Sequence, residues 1–351
     1  MKNILLIFGI AAFLICGCSQ APQKAVNKAS ANADKFAGLF ERAKSTFSPL
    51  PATADNPENP ITPEKVALGK ALYFDNRLSK EGNISCNSCH NLNTYGVDNK
   101  PTSPGDGGVF GDRNSPTVLN AAFHFAQFWD GRAVDVEEQA GGPILNPIEM
   151  SMPDQEFVIK RLGEIKGYKA LFAAAYPNIV EPINYKNIQK AIAVFERKLI
   201  TPARFDEYLA GNENALTDQE KEGLLTFMNT GCTACHSGAV MGGAMYQKFG
   251  LAGNYWDFTK SKKIDNGRFL VTKNEADKYT FKVPSLRNVE KTHPFFHDGS
   301  ISDLNDAVKI IAKLQLNKDL TDQEVQDIVA FLKTLTGMVP KDLATPPQLP
   351  I

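Results

Sequence analysis

The chain has 351 residues, 43% of them hydrophobic and 22% charged, which is enough for two ordinary domains with sizeable cores and excludes a mainly disordered tail. Its 38 Lys and Arg against 39 Asp and Glu leave a formal net charge of -1, so there is no global electrostatic drive toward nucleic acid or anionic lipid. Six cysteines are present, two near the start and four in two widely separated pairs.

At the N-terminus, Lys2 precedes an apolar run from Ile4 to Ile15, too short to span a bilayer and suited to the hydrophobic region of an export signal. The string Leu14-Ile15-Cys16-Gly17-Cys18 resembles a bacterial lipobox. That resemblance implies a signal peptide over 1–17, lipidation of Cys18, and a mature chain on the periplasmic side that touches membrane only through its acyl chains. Ser19 after the cysteine resembles an outer-membrane signal. Residues 18–48 read as lipidated N-terminus and tether, because 19–34 are rich in Ala, Asn, Gln, Lys and Ser without apolar periodicity.

Folded structure is expected from about Pro49. The Pro-rich stretch 48–60 leads into a helix with Thr62 as N-cap, Pro63 at its first position, and Val66, Leu68 and Leu72 following. Then comes Cys86-Asn87-Ser88-Cys89-His90. Ile188, Ile192, Phe195 and Leu199 predict a second helix over 187–199. Two further helices open on the same five residues, in which Thr217 with Glu220 and Thr321 with Glu324 match capping boxes. The first leads to Cys232-Thr233-Ala234-Cys235-His236; the second carries Val325, Ile328, Leu332 and Leu335 on one face. Between them, Leu304, Val308 and Ile311 predict a helix near 303–314. The long Gly-, Pro- and Asn-rich stretches 96–116 and 237–268 show no sustained period of two, so few strands are expected.

Both cysteine pairs have the form CxxCH, the attachment site of c-type haem. Two thiols three residues apart reach both vinyl groups of one porphyrin, and the adjacent histidine is placed under the iron. Redox disulfides or a four-cysteine zinc site are the competing readings, and neither accounts for a histidine after each pair. The two pairs lie about one domain length apart, so each haem is expected to have its own helical domain.

Around these motifs run Arg113-Asn114-Ser115-Pro116-Thr117-Val118-Leu119-Asn120, Phe128-Trp129-Asp130-Gly131-Arg132, Glu138-Gln139-Ala140 and Pro147-Ile148-Glu149-Met150. Lys282-Val283-Pro284-Ser285-Leu286-Arg287-Asn288 and Phe296-His297-Asp298-Gly299 follow. With these residues the chain resembles the bacterial dihaem cytochrome c peroxidases from about Ile61 to Leu335. The resemblance implies a mainly α protein of two cytochrome c-like helical haem domains with long irregular loops. It implies a peroxidatic haem in 49–203 and an electron-transfer haem in 204–335, with 336–351 as a C-terminal tail. His90 would ligate the first iron and His236 the second. Glu149 would serve as the acid–base group for peroxide cleavage, Gln139 as its hydrogen-bonding companion, and Trp129 as the aromatic link between haems. Asn114, Thr292 and Pro294 would hold a calcium ion, the latter two through backbone oxygens, and His297 would contact a haem propionate. Hydrogen peroxide would be the substrate and a cytochrome c or cupredoxin the donor, with a homodimer as the common assembly.

Two departures stand out. The relatives' loop histidine that caps the peroxidatic iron is replaced by Asp106, and residues 101–108 contain no histidine, so this haem is expected to be open or water-bound when oxidised. His124 is expected to pack or hydrogen-bond rather than ligate. At the second iron, Ile311 stands where relatives carry a methionine ligand, which removes the thioether that raises the potential. Met241, Met245, Lys309 and Lys313 are the weaker substitutes. Ile311 also leaves room for a dihaem oxidase resembling the methylamine dehydrogenase maturation enzymes, and a non-catalytic electron carrier or redox sensor is the alternative from another class.

Overall fold

The computed structural model describes residues 35–351; the export signal expected at 1–17, the lipidation expected at Cys18 and the stretch 19–34 lie outside the described residues. Helix α1 (Leu39–Thr46) falls within the segment read as tether, which corrects the expected start of the fold. Leu39, Ala43 and Phe47 recur four residues apart and are buried, while Phe40 meets Tyr208 and Phe47 meets Phe205 edge-on at ring separations of 5.5 and 5.4 Å.

Helix α2 (Pro63–Phe74) starts as its sequence predicts, with the Thr62 side chain accepting from Lys65 N and Pro63 in the first turn. Next come the single turn α3 (Cys86–Cys89), α4 (Val136–Leu145), α5 (Gln155–Gly163), α6 (Lys166–Ala175) and α7 (Tyr185–Glu196). The last starts before the expected 187 because Asn184 caps it through Asn187 N, and it stops at Glu196 although Leu199 stays fully buried in the turn beyond. Leu68 and Leu72 of α2, Ile188 and Ile192 of α7, Ile144 of α4 and Phe172 of α6 share one core.

After α8 (Arg204–Leu209), α9 (Asp218–Thr230) opens on its predicted capping box. Strand β1 (Tyr246–Lys248), α10 (Tyr255–Thr259), α11 (Phe269–Thr272) and β2 (Thr280–Lys282) precede α12 (Leu304–Leu316). Helix α13 (Asp322–Lys333) opens on the second capping box, and α14 (Lys341–Ala344) follows. β1 and β2 pair antiparallel with Tyr246 opposite Lys282, a single small sheet among the described residues, in keeping with a mainly α fold. The 336–351 segment, read as a tail, instead packs on the N-terminal half because its Leu343 and Ala344 find cover against Tyr73, Phe74 and Phe195. Arg77 donates to the Pro350 carbonyl at 2.9 Å.

The two halves repeat one plan. Where α2 crosses α7, a Cβ on Gly69 would sit 1.9 Å from the Ala191 carbonyl oxygen and 2.9 Å from Phe195 Cβ. Where α9 crosses α13, a Cβ on Gly223 would sit 1.8 Å from the Asp327 carbonyl oxygen and 2.9 Å from Phe331 Cβ. Only glycine lets helix backbones approach this closely. Loops repeat as well. Asn120 and Asn288 share a left-handed φ of 61°, and Phe128 and Phe296 have φ of 66° and 70°. The Thr117 and Ser285 hydroxyls each accept from the amide two residues on and donate at 2.7 Å, to Tyr95 O and Val240 O, shortly after a CxxCH histidine. Asp135 caps α4 as Asp303 caps α12. Where the halves meet the bonds are reciprocal: Lys282 N donates to Trp129 O and Asn114 N to His297 O, each at 2.7 Å.

Candidate functional site

Helix α3 is held by a reciprocal cap in which Ser85 N donates to the Ser88 hydroxyl at 2.9 Å. One helical turn sets Cys86 and Cys89 on the same side, and His90 closes it with its amide on the Cys86 carbonyl at 2.9 Å. Tyr73, fully buried on α2, donates to the His90 carbonyl at 2.5 Å. Cys86, Cys89 and His90 line a cavity of about 1060 Å³.

Helix α4 adds the second set. Gln139, Pro143 and Asn146 recur at steps of four and three, so they share a face, and all three line the same cavity. The helix cannot continue past Asn146, because a residue before proline is pushed out of the α region and Pro147 follows. The turn that results, closed by Glu149 N on Asn146 O at 3.0 Å, brings Glu149 to the cavity. Its carboxylate accepts from Asn146 Nδ2 at 2.7 Å. Burial raises its pKa, with Arg132 and that hydrogen bond pulling the other way. Asp106 is buried next to this turn: its carboxylate accepts from Glu81 N at 3.1 Å and its own amide donates to Glu149 O at 2.6 Å.

Trp129 also lines the cavity and donates its indole N–H to Asn114 O at 2.9 Å. Its ring packs into the cluster of Phe249, Tyr255, Phe281 and Leu314 that also receives Ile311, so it touches both halves. His297, 2% exposed, stacks on Phe281 at a ring separation of 4.4 Å and leaves its buried Nε2 without a partner. Burial lowers its pKa, with Asp298 and Asp265 opposing. Arg113 binds Asp265 and Asp130 at 2.6 Å each at the same cavity, and an orphaned imidazole nitrogen with a fixed guanidinium suits a ligand bearing carboxylates.

Cys232 leads a 3₁₀ turn that Cys235 closes, and the His236 amide bonds the Cys232 carbonyl at 3.0 Å. The His236 Nδ1 lies 2.9 Å from Met241 O, which places the proton on that nitrogen and leaves Nε2 with the lone pair a metal needs. Burial lowers the pKa of both His90 and His236 and so keeps them neutral, the ligating form. Among the described residues the four cysteines of the two CxxCH motifs are unpaired, and each pair sits in its own site, which favours neither a disulfide nor a shared zinc site. A cavity sized for a large planar group, the orphaned His297 nitrogen and the His236 tautomer together fit haem at two CxxCH sites.

The two lysine substitutes for Ile311 are engaged in ion pairs, and the two methionines are held by their backbone carbonyls. Lys309 pairs with Asp322 at 2.8 Å and Lys313 with Asp319 at 2.7 Å. Met241 holds His236 through its carbonyl, and the Met245 carbonyl accepts from Val283 N at 3.0 Å. Since α12 repeats α4, Ile311 stands in the place of Pro143, which lines the first cavity. The His124 Nδ1 lies 3.0 Å from Lys282 Nζ, a packing and hydrogen-bonding role. Asn114 is brought to the segment holding Thr292 and Pro294 by its amide on His297 O; its Nδ2 donates to Lys100 O at 2.9 Å, which keeps Oδ1 as an acceptor. Asn99 donates to Lys291 O and His293 O at 3.1 and 2.7 Å, on either side of Thr292.

Sequence reasoning missed two things. One is the repeat, visible as Pro116-Thr117, Asn120 and Phe128-Trp129-Asp130-Gly131 against Pro284-Ser285, Asn288 and Phe296-His297-Asp298-Gly299. The other is Glu196, a carboxylate one turn past Ile192 that lines the cavity; its signal was an acidic residue directly after Phe195 on a buried stripe.

A family model described as "Di-haem cytochrome c peroxidase" matches residues 63–214, and one described as "Cytochrome c" matches 220–336. The chain is 46% identical to the cytochrome c551 peroxidase of Pseudomonas aeruginosa over 86% of its own length and 88% of that protein. It is 47% identical to the cytochrome c551 peroxidase of Nitrosomonas europaea over 83% and 84% of the two lengths. Among solved structures, a MauG-like protein associated with microbial copper homeostasis superposes with a TM-score of 0.74 at 30% identity, covering 85% of this chain and 95% of that one.

Proposed function

The chain belongs to the di-haem cytochrome c peroxidase family, and from that premise we propose which of its residues carry the reaction and where it takes place. The enzyme reduces hydrogen peroxide to water, H₂O₂ + 2 e⁻ + 2 H⁺ → 2 H₂O, with electrons from a cytochrome. Two c-type haems supply the irons at which the oxygen–oxygen bond is cleaved and electrons are held.

Cys86, Cys89 and His90 hold the peroxidatic haem in the large cavity, and Cys232, Cys235 and His236 hold the electron-transfer haem. Glu149 takes a proton from the bound peroxide and returns it to the departing oxygen. Its raised pKa suits that exchange, because a group of intermediate strength can both accept and give. Gln139, on the same cavity, offers an amide N–H to the oxygen that gains charge. Trp129, set between the cavity and the cluster that includes Ile311, lies on the route between haems. His297, with its unpartnered Nε2, and Arg113 would bind the propionates. The Asn114 side chain with the carbonyls of Thr292 and Pro294 makes a hard-oxygen site for calcium.

The loop with Asp106 brings no imidazole to the cavity, and Asp106 itself does not line it, which supports a haem there that peroxide would reach without prior reduction of the enzyme. The export signal and lipobox-like string read at 1–18 support a periplasmic protein, lipid-anchored at the outer membrane; a cytochrome c or cupredoxin is the proposed donor and a homodimer the proposed assembly.

The observation that carries the reading is one cavity lined by Cys86, Cys89 and His90 together with Gln139, Glu149 and Trp129. Stopped-flow mixing of peroxide with the diferric and the half-reduced protein tests it. Both forms should react at similar rates. Reaction of the half-reduced form alone would reject direct access, and reaction of neither would reject the site.

A further inference from the structure

Glu196 is the only acidic side chain on α7. It is 5% exposed and lines the cavity together with Ile192 one turn earlier. Burial, with Glu137 adding to it and Arg197 opposing, leaves its carboxyl pushed up to about 8, and no hydrogen bond contributes. In the other half the residue after Phe331, where Glu196 follows Phe195, is Leu332, 3% exposed. The shared scaffold therefore accepts an apolar side chain at this place. An unpaired buried carboxyl there is costly and adds nothing to the packing.

The groups facing Glu196 leave it as the one that titrates. Tyr73 from α2 keeps its proton, since burial raises its pKa and its hydroxyl is committed to His90 O. Cys86 from α3 is consumed by the thioether. Glu137 from α4 is held ionised by Arg197, which it meets at 2.6 Å. Glu196 lines the same cavity as Cys86 and His90, and both Tyr73 and Cys86 feel its charge, so a cofactor held there would lie within reach of the carboxyl's field.

We propose that Glu196 is a redox-coupled proton site of the haem held by His90. Its carboxylate takes one proton from solvent when that haem accepts one electron from the donor by way of the second haem, and releases it on reoxidation. The proton is the only atom transferred. The coupling is electrostatic: an added electron nearby favours the neutral acid, and by linkage the neutral acid favours the reduced haem. The site has no twin in the other half, so only one haem is coupled in this way. This inference rests on the dihaem peroxidase reading.

Potentiometric titration of the purified holoprotein from about pH 6 to about pH 9 tests it, with each haem followed by its own spectrum. In the wild type the potential of the peroxidatic haem should fall as pH rises, approaching one proton per electron over part of that range. Glu196→Gln should abolish that slope and leave the slope of the C-terminal haem unchanged, whereas Glu149→Gln should retain it. An unchanged slope in Glu196→Gln, or its loss in Glu149→Gln alone, overturns the proposal. Should Glu196→Gln fail to mature, Glu196→Leu copies the residue of the other half. Redox-induced infrared difference spectra of the wild type give an independent readout: a protonated-carboxyl C=O band must appear on reduction of this haem, and its absence overturns the proposal. Haem content and peroxidase turnover measured on the same samples separate the two levels. Two haems and full turnover with a flat wild-type potential sink the proton site alone; fewer than two haems, or no turnover, sinks the parent reading.

Discussion

Where α4 of the N-terminal half presents Gln139, Pro143 and Asn146 to an open cavity, α12 of the C-terminal half sets Ala307, Ile311 and Leu314 at the matching places. Trp129 is matched by His297 and Glu196 by Leu332. The helix crossings at Gly69 and Gly223 and the hydroxyl contacts of Thr117 and Ser285 are common to both halves. The scaffold that seats a CxxCH turn is thus one invention used twice, and the chemistry lies in a few side chains laid over it. Helix length also contributes. α4 stops before Pro147 and makes the turn that carries Glu149, while α12 runs on to Leu316 and has no such turn.

The sharpest way to test this contrast is to remove its main chemical element. Glu149→Gln should lower peroxidase turnover by about 10²–10⁴-fold with both haems retained, as steady-state assays with a reduced cytochrome would show. A base works ionised, so activity should fall as pH falls through the Glu149 pKa. Because burial raises that pKa, the acid limb should lie above the usual carboxylate range. In Glu149→Gln the limb should vanish. The next largest effects concern the scaffold. Gly69→Ala and Gly223→Ala should each destabilise the holoprotein by about 1–3 kcal/mol in denaturant titrations, because each new methyl meets a backbone carbonyl that cannot move aside. Strongly unequal costs would contradict a common crossing.

Much of this was legible in the chain. CxxCH, the two capping boxes and the Thr62-Pro63 helix start are local signals in which a side chain acts on backbone a few residues away. Gln139, Glu149 and Trp129 came from resemblance; no local pattern distinguishes them from surface or core residues, and what brings them together is the α4 turn and the folding of α4 against α7. α1 was missed because Leu39, Phe40, Ala43 and Phe47 in a polar, lysine-bearing segment make too weak a stripe, and Phe205 and Tyr208, which meet Phe47 and Phe40, are far along the chain. The C-terminal segment was missed for the same reason: Leu343 and Ala344 gain their cover from Tyr73 and Phe195.

A smaller effect should come from the hydroxyls that tie each loop to its CxxCH turn. Thr117→Ala and Ser285→Ala each strip a donor from a carbonyl, Tyr95 O or Val240 O, and an acceptor from the amide two residues on. Each should cost about 1–2 kcal/mol in thermal or denaturant unfolding. The two costs should be alike if the halves use these contacts for the same purpose.

The smallest structural perturbation carries the most specific electronic consequence. Ile311→Met is nearly volume-conserving and should cost under about 1.5 kcal/mol. Ile311 occupies the place that Pro143 holds over the first cavity, so a thioether introduced there would face the haem held by His236. Methionine ligation raises the potential of a c-type haem. The variant should therefore show a higher potential at the C-terminal haem in spectroelectrochemistry, with the peroxidatic haem unmoved. An unchanged C-terminal potential would mean that α12 does not stand over its haem as α4 does, and the equivalence of the two halves would then end at the helix crossings.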